Sequence, residues 1–454
     1  MTKLTETNNT TQKMEYMEIK KLVFTMSLPI MISMVIQALY NIVDSIFVAM
    51  ISPEALTAVS LCSPIQTIIV AVACGTAAGF NTLLSRFLGQ KRFKQANNVV
   101  MHGMVLSLLN WLVFAIIGIL FSNAFLNCYT DNTEILNMGN SYIRICTLFS
   151  FGVFIQITYE RIMQATGNAI YNMIMQSIGA IANIILDPIF IFGYFGLPAL
   201  GVTGAAIATV IGQMLGMLSG YLLAKYKVED LEVKVSNFKL DKTIISDIYK
   251  VGIPSIFMQS ILSFMTVFMN FILAPFSDVA ISVFNIYYKL QNFMNMAVLG
   301  ISNALIPIIS YNFGAKRNDR VIEAVHFSLI LSACIMAVGT IFFELFPYQL
   351  LSLFSADKNM YALGIPTLRI ISLSFVLAGT NMILCSGFQS LNHANESLVI
   401  TLIRQLVLLI PLTYVFAHSF GINMAWYAFL ITESISAIGA FVLWHKVKGR
   451  LLAQ

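Results

Sequence analysis

The sequence predicts an all-α integral membrane protein. Its twelve transmembrane helices would form two six-helix lobes related by a pseudo-twofold axis along the membrane normal. Three observations carry that expectation. The 454-residue chain is 58% hydrophobic and only 10% charged, with a mean hydropathy of +0.81, where a soluble globular protein carries about 25% charged residues. Its basic residues are confined almost wholly to one set of loops. Its second half repeats the first at a constant offset of 225 residues.

A spanning helix needs about 20 mostly apolar residues. Such runs cover 22–50, 56–84, 98–121, 138–160, 171–194 and 201–225, then 247–274, 281–310, 323–346, 361–387, 397–418 and 423–446. Residues 1–21 are polar, with no apolar stretch followed by a cleavage site, and read as an exposed tail. The expected organisation is therefore a tail (1–21), an N-lobe (22–225), a charged linker (226–246), a C-lobe (247–446) and a C-terminal tail (447–454). The six cysteines show no metal-ligand or disulfide spacing and read as small apolar fillers.

Lys and Arg collect in cytoplasmic loops. Of the 26, twenty-one fall on the side that holds both termini, Lys358 alone falls opposite, and Arg144, Lys289, Arg369 and Arg404 fall within spans. Arg161 is grouped with the first set, at the end of span 4. Both termini are expected in the cytoplasm, with the chain multi-pass in its membrane. The net charge of +5 is a topology signal, so no nucleic-acid partner is expected.

The duplication pairs Pro29 with Pro254, Gln66 with Gln291, Gly75 with Gly300, Lys91 with Lys316 and Gln164 with Gln389. The register shifts by about five residues near Gly201 and Gly421. Six spans per copy is an even number, so the copies share one orientation, a recurring plan of transporters.

Polar residues then single out a cavity. Span 1 carries Gln37, Tyr40, Asn41 and Asp44 at i, i+3, i+4 and i+7, one face of a helix. Span 5 carries Asn172, Gln176, Asn183 and Asp187, again on one face. An aspartate at the depth of Asp44 costs about 2.5–3.5 kcal/mol on insertion scales, so it signals a task or a partner. Two carboxylates without a cation cannot both stay ionised in a low dielectric, and a bound proton or sodium ion would neutralise them. Pro29 lies below Asp44 and can bend span 1. The second half has Met269 and Leu412 where the first has Asp44 and Asp187. Its polar faces carry Gln259 in span 7, and Asn285 and Lys289 in span 8. Glu433 is a candidate partner for one of the deep cations. No nucleophile–base set, phosphate loop or metal cluster is visible, so catalysis and a cofactor are not expected.

Several stretches carry a resemblance: QALYNIVDSIFV, GTAAGFNTLLSRFLGQKRFKQA, QATGNA, NIILDPIFIFG with GVTGAAIAT, and LIPIISYNFGAKRND. Together they resemble the multidrug and toxic compound extrusion (MATE) transporters, on the DinF-like and MepA-like branch. The resemblance implies a monomeric antiporter that exports lipophilic organic cations in exchange for H⁺ or Na⁺. It places the coupling ion on Asp44, Asn183 and Asp187, with Thr209 added from span 6, and the bend of span 1 at Pro29. Gln37, Tyr40, Asn41, Gln176, Gln259, Asn285 and Lys289 are the expected cavity residues. The NorM-like branch relies on a span 7 glutamate, and the nearest position here is Gln259. The alternative is a flippase for lipid-linked oligosaccharides, which handles a pyrophosphate and needs several cavity cations.

Overall fold

The computed structural model describes residues 9–228, 231, 239–354 and 356–453. Residues 229, 230 and 232–238 of the expected linker fall outside these residues. The helices are α1 (Asn9–Tyr16), α2 (Ile19–Ala49), α3 (Pro53–Gly89), α4 (Phe93–Asn127), α5 (Thr133–Leu148), α6 (Phe151–Ala165), α7 (Ala169–Phe192) and α8 (Val202–Lys227). They continue with α9 (Lys242–Leu273), α10 (Asp278–Gly314), α11 (Asn318–Leu345), α12 (Pro347–Ser352), α13 (Lys358–Ser372) and α14 (Phe375–Ser390). The last are α15 (Ala394–Leu402), α16 (Ile410–Phe420), α17 (Ile422–Ala425) and α18 (Tyr427–Ala453). A π-helical segment, Ile403–Leu409, joins α15 to α16.

Among the described residues, ten helices are long and apolar enough to cross a bilayer. Two bent pairs, α5–α6 at 44° and α13–α14 at 46°, raise the number to twelve. Spans 4 and 10 are thus broken helices. At each break a serine hydroxyl adds to the backbone bonds of a carbonyl three residues back: Ser150 Oγ donates to Thr147 O at 2.8 Å and Ser374 Oγ to Ile371 O at 2.7 Å.

The 225-residue repeat is present in the backbone. α3 and α10 have equal length and start 225 apart. Their N-caps Ser52 and Ser277 accept from Ala55 N at 3.0 Å and Ala280 N at 3.1 Å. The loops that follow turn through Lys91 (φ 58°) and Lys316 (φ 57°). Gly167 (φ 79°) and Asn392 (φ 67°) turn the next pair. A left-handed turn at matched positions fixes the direction in which each following helix leaves.

The chain divides into two compact units, Met1–Tyr16 with Ile32–Ile256 and Met17–Met31 with Phe257–Gln454. The boundaries fall inside α2 and α9, each two residues past its internal proline, Pro29 and Pro254. In unit 1, α9 begins under tight control. Asp241 Oδ1 accepts from Thr243 N at 2.8 Å, which holds the Asp241 carboxyl below the usual carboxylate range. The Asp241 N–H donates to His102 Nε2 at 2.9 Å. His102 is buried, and its Nδ1 lies 2.8 Å from the Asn98 carbonyl, which makes Nδ1 the protonated nitrogen.

Unit 2 is held by a buried ion pair. Glu433 Oε2 on α18 accepts from Arg404 at 3.2 Å and from Asn381 Nδ2 on α14 at 2.7 Å. Arg404 sits on the π-helical segment just ahead of Pro411, whose missing N–H and bulky ring interrupt the regular ladder. Both charged side chains are nearly enclosed, at 13% and 11% exposure. Breaking such a pair costs about 3–5 kcal/mol, while replacing both charges by packed apolar groups is often neutral. Glu433→Gln and Arg404→Met should each lower the melting temperature of purified protein by well over the scatter, and Arg404→Met with Glu433→Leu should recover most of the loss. Additive losses in the double variant, measured by thermal unfolding in detergent, would contradict a coupled pair.

Candidate functional site

The site in unit 1 grows from a close approach of α7 and α8. Gly179 and Gly212 face each other so tightly that a Cβ on Gly212 would lie 2.8 Å from Gly179 O and 3.2 Å from Asn183 Cβ. Small residues let membrane helices come together in this way. The approach brings Thr209 of α8 to Asn183 of α7: Asn183 Nδ2 lies 3.4 Å from Thr209 Oγ1 and 3.3 Å from Asp187 Oδ1. Asn183 and Asp187 are buried, at 2% and 0% exposure. Pro188 follows Asp187 inside α7 and removes the helical donor for the Ile184 carbonyl, loosening the ladder beside the site.

α2 brings Asp44, half-buried, to the same place. Asp44 and Asp187 interact electrostatically with each other, and the Tyr40 hydroxyl feels both. Tyr142 of α5 also neighbours Asp44, and its hydroxyl accepts from Gln66 Nε2 at 3.0 Å. Three buried oxygens here have no hydrogen-bond donor: Asp44 Oδ1, Asp187 Oδ2 and Asn183 Oδ1. No ion pair engages Asp44 or Asp187 among the described residues. A cluster of acceptor oxygens lacking a cation is a site for a small hard cation or for a proton. The described residues contain no group of His, Cys, Asp and Glu that could hold a resident metal.

Asp44, Tyr40, Asn183, Asp187 and Thr209 are therefore together. Gln37 and Asn41 lie exposed on α2, the first one turn before Tyr40 and the second directly after it in the polar stripe. Gln176 has a different partner from the one its stripe suggests. Its Nε2 donates at 3.0 Å to Glu160 Oε1 on α6, which also accepts from Gln156 Nε2 at 3.2 Å. Glu160 is buried at 5% exposure and is a third acid of unit 1 that sequence reasoning missed. Its neighbour Arg161 is buried too, with Nη1 2.7 Å from Gln164 Oε1. α6 runs on to Ala165, so both charges lie buried within the helix and not in the loop after it. Gln259, Asn285 and Lys289 belong to unit 2, the first two half-buried and Lys289 exposed. Pro29 lies inside α2, which is helical throughout.

A family model described as MatE matches residues 29–189 and 254–415, two segments that start 225 apart. The chain belongs to the MATE family, whose members are transporters and not enzymes. Among characterised relatives, the multidrug export protein MepA of Staphylococcus haemolyticus is 27% identical over 440 residues, covering 96% of each chain. MepA of Staphylococcus aureus is 26% identical over 94% of this chain and 93% of its own. A solved structure described as the outward-facing conformation of a multidrug resistance MATE family transporter is 25% identical, with a TM-score of 0.92 over 99% of this chain and all of that one.

The α7–α8 contact leaves no room at Gly212. Gly212→Val should separate the helices, draw Asn183 from Thr209, and lower stability by about 1–3 kcal/mol, the usual penalty of overpacking. Gly439→Val, where an added Cβ meets nothing within 4 Å, is the control in the same thermal melt.

Proposed function

We propose that this protein is an ion-coupled multidrug efflux antiporter that exports lipophilic organic cations by alternating access, with the coupling ion on Asp44 and Asp187. The observation that supports it most is the set of orphaned acceptor oxygens on Asp44, Asp187 and Asn183. Two adjacent carboxylates in a dry site repel each other, and one proton relieves that repulsion at once. A proton is therefore our first choice for the coupling ion. Sodium is the second, with Thr209 and Asn183 as further oxygen ligands. The names of the relatives, multidrug export proteins, support the substrate class. The flippase alternative is not favoured, because the relatives export drugs and unit 1 presents acids.

In this reading an organic cation and the coupling ion compete for the same negative charge. Binding of the ion on one side of the membrane displaces the drug there. Membrane potential adds about 2.3 kcal/mol per charge per 100 mV, so an entering proton can sustain a drug gradient. Pro29 is where α2 would bend as the ion binds, and it lies two residues before the helix passes from one compact unit into the other. The working protein is taken as a monomer of the bacterial plasma membrane with both termini cytoplasmic. Its lobes are taken as 22–225 and 247–446, joined by 226–246 and flanked by tails 1–21 and 447–454.

Ethidium efflux from proteoliposomes under an imposed pH or sodium gradient tests this reading. Wild type should move the dye down one gradient, and Asp44→Asn should slow it by about tenfold or more, a loss of at least ~1.4 kcal/mol. Dye movement under neither gradient, with folded protein, would sink the drug-pump reading. Equal rates for wild type and Asp44→Asn would remove Asp44 from the coupling site.

A further inference from the structure

Unit 2 has three cations within its expected spans, and their partners differ. Arg404 is paired with Glu433 at 3.2 Å. Arg369 Nε lies 3.8 Å from Glu344 Oε2. Lys289 has no ion pair and no hydrogen bond among the described residues. It sits eleven residues into α10, about 16 Å along the helix at 1.5 Å per residue. The expected span begins at residue 281, which puts Lys289 eight residues, about 12 Å, inside a hydrocarbon layer about 30 Å thick.

A lone ammonium at that depth must line water or meet an anion. Its surroundings on α10 agree. Lys289 and Asn292 are exposed, and Asn285 and Tyr288 are half-exposed on the same face. The neighbouring α11 instead exposes Ile330, Val338 and Ile341, a face suited to lipid. The α10 stripe offers the ammonium, two amide N–H₂ groups and a phenol hydroxyl, a set dominated by donors. Phe293, 56% exposed, gives an apolar platform beside it. Such a set fits an anionic oxygen carried on an apolar body.

We propose that Lys289 anchors an anion-accepting subsite in unit 2, flanked by Asn285, Tyr288 and Asn292, that takes the carboxylate or phosphate of a lipophilic small molecule. It rests on the drug-export reading and extends the substrate class: besides plain cations, the transporter takes molecules that also carry an acid. A phospholipid headgroup offers the same chemistry and would compete for the same lysine.

The test is direct binding by fluorescence anisotropy to full-length protein in phosphatidylcholine nanodiscs. The probes are rhodamine B, which carries a carboxylate, and its ethyl ester, which does not. Wild type should favour the acid over the ester by about tenfold, the scale of one charge-assisted contact. Lys289→Gln should bring that ratio close to one, and Lys289→Arg should retain it. Repeating the wild-type titration in phosphatidylglycerol nanodiscs separates the sources. A lost preference there means that a lipid phosphate occupies the lysine, and a retained one means that the substrate's own carboxylate does. No acid preference for wild type in phosphatidylcholine, or an unchanged ratio in Lys289→Gln, overturns the subsite. Ethidium transport by the same protein reports on the export reading separately. Transport without acid preference sinks the subsite alone, and no binding of either rhodamine with no ethidium transport sinks both.

Discussion

Hydrocarbon offers no hydrogen bonds, so each polar atom on a spanning helix must find a partner or face a cavity. The placement of charge in this chain follows from that constraint. Arg404 and Asn381 answer it by donating to Glu433 inside unit 2. Glu160, Gln156 and Gln176 answer it in unit 1 with neutral amides around one acid. Asp44, Asp187 and Asn183 leave acceptor oxygens unanswered, and two carboxylates with no ion pair among the described residues set this cluster apart from the other two.

The two repeats share a backbone frame and differ in what the frame carries. Gly179 in the first copy corresponds to Arg404 in the second, 225 residues on. Past the register shift, Gln213 corresponds to Glu433, directly beside Gly212. The same pair of helices is therefore joined by bare backbone contact in unit 1 and by a buried ion pair in unit 2. Close contact leaves α7 and α8 near enough for Asn183 to reach Thr209. The ion pair fills the equivalent space with side chains, and Leu412 stands where Asp187 would be. Duplication supplied two scaffolds, and divergence at a few positions left the Asp44–Asp187 pair in only one of them.

Much of the site was legible because helical periodicity reports a shared face. Gln37, Tyr40, Asn41 and Asp44 announce a stripe, as do Asn183 and Asp187. Periodicity says nothing about the neighbour a stripe meets. Gln176 belongs to the span 5 stripe yet serves Glu160. Glu160 escaped notice, and Arg161 was read only as a topology signal, because adjacent charges beside a polar loop look like a helix end, whereas α6 continues past them. Span 12 offered Glu433 as a partner for a deep cation, but choosing Arg404 over Arg369 required the geometry.

By itself the sequence determined the number of membrane crossings, the duplication and the asymmetry of acids between the halves. Each is a local or periodic property, written in hydropathy, in a constant offset and in residue identity at matched positions. Tertiary structure alone decided which polar groups meet. The bends of spans 4 and 10, the tight α7–α8 contact, the partner of Glu433 and the isolation of Lys289 all depend on distances between residues far apart in the chain. In a bilayer those distances separate a neutralised charge from an available one, because no water stands by to make up the difference.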